Sequence, residues 1–501
     1  MLNYLYLISG IIIYEYIKYI NNNDNHKINR HKIQLKNNKL KFNLHNDFFF
    51  GVATSSHQNE GFNKNNWTDW EDKNNLEKSN YACGQWLYFD KDIENMKFLG
   101  INSYRFSIEW SRIFPEEDKI DYEALNKYKS WCIKLRKNNI EPFVTLHHFT
   151  RPIWVDEKYG GLHNIEIEGC FLKYVDLVSK YLKKEVKYWI TFNEPFLELV
   201  HGYIRGTRPP GIQSDLDKFK NALINICDIH SKSYNIIHKH IPKAFVSIAK
   251  NVTHMISYHD YDPVKSYFAE EVDRFYNRQL IDALTTGEIS CGFNFFGNNF
   301  GIHENKKLWK NKLDYIGLNH YNIAYVKIDY ISKNFIDVVL TKDKTEFEQN
   351  DLGWDLCHFS MYEVLKTLGK YNLPIIITEN GTCDNSAMKS KQIALLSDHI
   401  ACIEKAMSEG VDVRGFFYWT LNDNFEWDDG YHPKFGLFKT NFKMLKEQIE
   451  NNSPINISTT PNISAKFYKK LIKEHLLPLP NRKKMNVRMR IKKLNKKYTI
   501  V

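Results

Sequence analysis

The chain has 501 residues, of which 43% are hydrophobic, 15% aromatic and 26% charged. It is too apolar for a disordered solvating chain and too charged for a multi-span membrane protein. Its formal net charge of +10 gathers in one place, because nine Lys and Arg and no acid lie between Arg482 and Lys497. The rest is close to neutral, so no nucleic-acid partner is expected for the folded body, and the basic tail is left as a solvated extension that either meets anionic lipid or nucleic acid or has no partner.

Taken from the start of the chain, residues 4–14 (YLYLISGIIIY) form an apolar run that Glu15 and Lys18 interrupt. It is short for a span of about 20 residues, and it suits a signal-peptide core except for a missing basic start and cleavage site. As an anchor it would leave the body in the cytosol, since Lys18, Lys27, Arg30 and Lys32 all follow it. The compartment therefore stays open: membrane-associated or secretory if this segment acts, cytoplasmic otherwise. The expected organisation is an apolar segment at 1–20, a polar linker at 21–45, one domain at 46–478 and a basic tail at 479–501. Membrane contact, if any, falls to the first segment or the tail. The eight cysteines are scattered singly with no CxxC pair, which suggests buried thiols and neither a disulfide framework nor a metal site.

From Phe48 onward short apolar runs alternate with helical patterns, the signature of strands buried on both faces and joined by crossover helices. The candidate strands are 48–54, 101–108, 140–146, 187–193, 244–249, 313–319, 373–379 and 414–420. Between them, residues 168–184 carry apolar side chains at helical spacing, and Gly100 closes another helix. Eight such units predict an α/β fold, a single (β/α)8 TIM barrel with long βα loops. A doubly wound sheet would want a phosphate-binding glycine fingerprint after its first strand, and FFFGVATSSH lacks one.

Barrel chemistry sits at the carboxyl ends of the strands, and those ends are polar here. The first runs out to Gln58, the second carries Arg105, and the third ends at His147 and His148. Asn193 and Glu194 end the fourth, Asn319 and Tyr321 the sixth, Glu379 the seventh, and Trp419 with Glu426 the eighth. Pro195 biases Glu194 towards an extended backbone, and Asn380-Gly381 stops the seventh strand. Two carboxyls facing one cleft can divide the work of acetal cleavage, one protonating the leaving oxygen and one attacking carbon. Arg105 and Tyr321 are placed to keep Glu379 charged, whereas a less polar setting and the neighbouring anion raise the pKa of Glu194.

These motifs resemble family 1 of the glycoside hydrolases, the β-glucosidase-like retaining enzymes, over roughly residues 45–475. FFFGVATSSHQNEG is similar to the family's opening strand with its sugar-binding Gln, here Gln58. YRFSIEWSRIFP brings Arg105 beside the nucleophile, and VTLHHFTRPIW supplies His148. WITFNEP resembles the acid/base motif with Asn193 and Glu194, GLNHYN gives Asn319 and Tyr321, and IITENG the nucleophile Glu379. GFFYWTLNDNFEWDDGYHPKFGL resembles the last block, which implies Trp419 under the sugar ring and Glu426, Trp427 and Phe435 around its distal hydroxyls. The chain departs from the pattern at His57, Asn59, Thr150 and Arg151, which leaves the packing of the first loop and the entrance open. Arg208 reads as a loop salt bridge.

The resemblance implies a small-molecule glycoside as substrate and no metal or organic cofactor. Glu426 would repel a phosphate, which disfavours 6-phosphoglycosides, and the carboxylic acid at Glu194 disfavours the thioglucosidase branch. The expected activity is retaining hydrolysis of terminal β-D-glucosides or related non-phosphorylated β-D-glycosides. Two alternatives accompany it: a membrane-associated transglycosylase using a sugar or lipid acceptor, and a carbohydrate-binding pseudoenzyme, whose usual mark is loss of one catalytic Glu.

Overall fold

The computed structural model describes residues 39–41 and 48–478, apart from 259–261, 296–297, 329–335, 342–344, 346, 452–458 and 475. The apolar run at 4–14 and the basic tail at 482–497 lie outside the described residues. Among the described residues no helix is long and apolar enough to cross a membrane.

The eight expected strands form a closed parallel barrel in chain order: β1 (Phe49–Ala53), β2 (Ser103–Ser107), β3 (Glu141–His147), β4 (Tyr188–Asn193), β5 (Phe245–Asn251), β6 (Ile316–Asn319), β7 (Ile375–Asn380) and β8 (Val413–Trp419). Alternation along each strand sorts the side chains. On β2, Tyr104 and Phe106 face the outer layer of helices, while Arg105 faces the barrel. The interior is filled by Ala53, Phe143, Ile190, Ala249, Tyr315, Ile376 and Phe417. Phe143 stacks on Tyr188 with ring centres 4.2 Å apart. One position inside is left empty on purpose: a Cβ on Gly51 would stand 2.5 Å from the Phe417 ring.

Crossover helices begin and end where their sequences say they should. Asp121 caps Tyr122–Lys137 through the Ala124 amide at 2.8 Å, and Asp215 caps Leu216–His240 through Lys218. Gln85–Leu99 stops at Gly100, whose φ of +75° closes the helix, and the expected helix at 168–184 runs over Ile167–Tyr181.

Two features outside the barrel were not visible in the apolar pattern. His254–Ser257, Ile323–Ile328 and Ile336–Val339 make a three-stranded sheet beyond the ends of β5 and β6. Lys39–Lys41, in the stretch expected as linker, pairs antiparallel with Leu476–Pro478. The last helix, Ile463–Glu474, leads into that pair. It starts beside Leu437, whose own amide bonds to Thr420 past the end of β8, and its Tyr468 hydroxyl donates to the Gly51 carbonyl in β1. The helix thus runs from the carboxyl-terminal rim down to the opposite end of the barrel.

Candidate active site

The twelve residues singled out by the family resemblance converge at the carboxyl-terminal end of the barrel, and local backbone irregularities help aim them. The ladder shifts register between Ile190 and Asn193 on β4, between Leu318 and Asn319 on β6, and between Ile377 and Asn380 on β7. These shifts fall where Asn193, Asn319 and Glu379 sit, as expected of bulges that re-aim side chains beside a site.

Glu194 corrects one expectation. It is not extended but left-handed, with φ +44° and ψ +46°. Pro195 disfavours the right-handed helical region before it, and the amide of Glu194 is held by the Ala249 carbonyl of β5 at 2.7 Å while its own carbonyl accepts from Leu197 and Glu198. The chain therefore turns at once into the helix Pro195–Leu199. A non-glycine residue in this region costs on the order of 1–2 kcal/mol, a cost typical of functional sites.

Arg105 organises the floor from the middle of β2. Its guanidinium donates to Glu379 Oε1 at 2.5 Å, to Asn193 Oδ1 at 2.6 Å, to Thr145 Oγ1 at 3.0 Å and to the Thr378 carbonyl at 3.2 Å. The Tyr321 hydroxyl donates to the other oxygen of Glu379 at 2.5 Å. Glu194 has a poorer set of partners, with the Asn319 amide at 2.8 Å as its hydrogen bond. The same amide donates to Asn193, and Thr378 orients Asn319 from behind.

Both carboxyls are buried, and the burial acts on them unequally. Glu194 is pushed up to about 7, first by desolvation and then by the charge of Glu379. Burial raises Glu379 too, but Arg105 and the Tyr321 hydroxyl pull it back. Of the two, Glu194 is the one that keeps its proton to higher pH.

A second group forms the opposite wall. Gln58 lies not on β1 but on the short helix Ser56–Asn59, where Ser55 fixes its oxygen at 2.7 Å and its amide reaches Glu426 at 3.1 Å. The Trp419 indole also donates to Glu426, at 3.3 Å. Desolvation, with Asp429 and Glu379 nearby, pushes Glu426 up to about 8. His148 meets Asn193 at 3.1 Å, and its ring lies nearly parallel to those of Trp419 and Trp427. Burial and Arg105 keep it neutral. Phe435 closes the wall beside Tyr321 and Trp354.

The departures from the family pattern are accommodated. His57 is buried, bonded to Glu71 at 2.9 Å and stacked on Trp427. Thr150 bonds Glu109 at 2.9 Å, and Arg151 is buried between Asp156 and Glu198, which ties it to the helix that follows Glu194. Arg208 pairs with Asp428 at 2.7 Å in a loop salt bridge. Sequence reasoning missed Thr145, Thr378 and Trp354. The threonines are ordinary strand residues by pattern, and Trp354 sits in a stretch with no strand or helix period.

Comparison with known proteins gives the family and the fold. The profile of Glycosyl hydrolase family 1 matches residues 40–476. Beta-glucosidase A of Acetivibrio thermocellus is 29% identical over 443 residues, covering 82% of this chain and 97% of that protein. A beta-glycosidase from Pyrococcus horikoshii superposes with a TM-score of 0.76 at 32% identity, over 87% of this chain and 96% of its own. The family 1 fold also recurs in a beta-glucosidase from Thermotoga maritima in complex with noeuromycin, with a TM-score of 0.76 at 25% identity over 87% and 99% of the two chains. The chain belongs to glycosyl hydrolase family 1, and is a retaining β-glycosidase built on a (β/α)8 barrel.

Proposed function

We propose that the substrate is a small, non-phosphorylated β-D-glucoside or related β-D-glycoside, cleaved by Glu379 and Glu194 in two steps. The observation that carries this reading is the unequal treatment of the two buried carboxyls. Glu379, bonded to a guanidinium and a phenol, is the ionised group that attacks the anomeric carbon. Glu194, faced by an amide and an anion, holds the proton that the departing oxygen takes. The glycosyl ester on Glu379 is then hydrolysed by a water whose proton returns to Glu194, with net retention. No residue needs to change place between the steps.

Asn193, His148, Gln58, Glu426 and Trp427 line the glycone side in this reading, with Trp419 as the stacking platform and Phe435 beside it. Glu426 refines the argument about phosphate. Raised to about 8, it enters a neutral site mostly protonated, so it rejects phosphate less by its own charge than by its company. Asp429 and Glu379 both act on it as negative neighbours, and a phosphate there would add a third.

The test is proton NMR of p-nitrophenyl β-D-glucoside with the purified full chain. β-Glucose should appear first, and with an alkyl β-glucoside, whose leaving oxygen must be protonated, E379A and E194Q should each lose at least about a hundredfold in kcat/KM. Early α-glucose, or full activity in either variant, would overturn the assignment of roles.

We also assign membrane contact, if the chain makes it, to the end of the barrel remote from this site. The support is the pairing of Lys39–Lys41 with Leu476–Pro478, which brings both ends of the domain together there.

A further inference from the structure

One buried charge takes no part in the chemistry above. Lys250 lies near the end of β5, wholly buried, in an apolar run (FVSIAKN) where a Leu or Met would fill the same space at lower cost. Its ammonium donates to the carbonyl of Asn251 and, at 2.9 Å, to that residue's Oδ1, while the Asn251 amide holds the Tyr276 hydroxyl at 2.7 Å. It lies 4.8 Å from the centre of the Tyr276 ring and 5.4 Å from that of Phe196. It forms no ion pair with any of the described carboxylates. A buried ammonium without a salt bridge calls for another explanation.

The neighbourhood supplies one. The residue before Lys250 is Ala249, whose carbonyl receives the Glu194 amide, and Phe196 stands two residues beyond Glu194 on the acid/base helix. Lys250 therefore packs directly behind the turn that carries the proton donor. We propose that Lys250 is a positioning residue for the acid/base, its cation stabilising the carboxylate that Glu194 becomes each time it gives up its proton. This rests on the assignment of Glu194 made above.

The charges involved can be named from every side. Glu379 opposes ionisation of Glu194, whereas Arg105, Lys250 and the Asn319 hydrogen bond favour it. Desolvation pushes Lys250 down to about 7, and the charges of Glu194 and Asp273 act against it by favouring its protonated form. Asn251, Tyr276 and Phe196, which it touches directly, bring no charge of their own. The arrangement makes Glu194 a stronger acid towards the leaving group and a stable base for the second step.

Glycosyl transfer to Glu379 needs Glu194 protonated, so the basic limb of kcat/KM reports the loss of that proton. Removing the cation raises the pKa of Glu194, and the limb moves to higher pH. The experiment measures kcat/KM for methyl β-D-glucoside, whose alkoxide cannot leave without the Glu194 proton, against pH in the native full chain, K250M, K250R and D273N. For K250M the limb should rise by roughly one pH unit, and K250R should return it towards the native position. D273N, which leaves Lys250 less often protonated, should shift it the same way by less.

A limb that stays in place in K250M, whatever happens to the rate, overturns the proposal. Should K250M fail to fold, D273N decides alone, and an unmoved limb there overturns it equally. No turnover by the native chain would overturn the reading of the whole site, and the role of Lys250 with it.

Discussion

At the scale of single residues, the site works by withholding solvent from carboxyls and giving back different amounts of compensation. Glu379 receives an arginine and a tyrosine, Glu194 one amide, and Glu426 an indole and an amide. The last two are costly to ionise, and that cost is also a cost to the fold. A carboxyl whose pKa is raised in the folded state contributes stability that is complete below its ordinary value and is lost as pH climbs to the folded one. For Glu426 the window runs from about 4.5 to about 8. A Gln of the same shape has no proton to lose. The melting temperature of E426Q relative to the native chain should therefore climb between about pH 5 and 8 and level off above it. Thermal melts at four pH values decide the matter, and a difference independent of pH would show that the fold does not hold Glu426 as a neutral acid.

At the scale of elements, the barrel is a packed object whose interior tolerates little change. Gly51 on β1 faces Phe417 on β8, with the Ser103 hydroxyl 2.7 Å from where a Cβ would be. G51A should lose about 1–3 kcal/mol by overpacking, and trimming the opposing ring in G51A/F417L should recover part of the loss. Denaturant melts of G51A, F417L and the double variant test this; a double variant less stable than the sum of its singles would place the strain elsewhere.

The same packing explains what the sequence makes legible. The eight strands are buried on both faces, so their apolar runs stand out against polar loops, and the polar residues closing those runs stand out in turn. Arg105 breaks an apolar run, and Glu194 and Glu379 follow others, which is why all three were found. Bulges are different, because an extra residue in a ladder leaves no mark in an apolar run, and the three that aim Asn193, Asn319 and Glu379 were invisible. The left-handed turn at Glu194 was misjudged for a related reason. Pro195 narrows the choices for its predecessor, but the Ala249 carbonyl that selects among them is 55 positions away. Trp354, in a loop without a period, had no local signal at all.

At the scale of the whole molecule, the barrel has two ends with separate duties. The rim carries the site, and at the far end Lys39–Lys41 pairs with Leu476–Pro478. An apolar run precedes that pair in sequence and nine positive charges follow it. A single weak apolar signal gives only marginal membrane affinity, and a polybasic stretch adds about 1 kcal/mol per charge near an anionic surface. In the proposal made above, these two signals, which flank that pair in sequence, would act together on one membrane, and the rim would open away from it towards soluble glycosides. The full chain should co-float with vesicles containing phosphatidylserine and not with neutral vesicles. Raising the salt to about 0.5 M, where screening shortens to a few ångströms, or deleting 482–497, should weaken flotation several-fold. Turnover of a soluble glucoside should be the same on and off the vesicle. A chain that floats equally with and without the tail would leave the apolar segment as the sole anchor, and a chain that never floats would remove the membrane from its function.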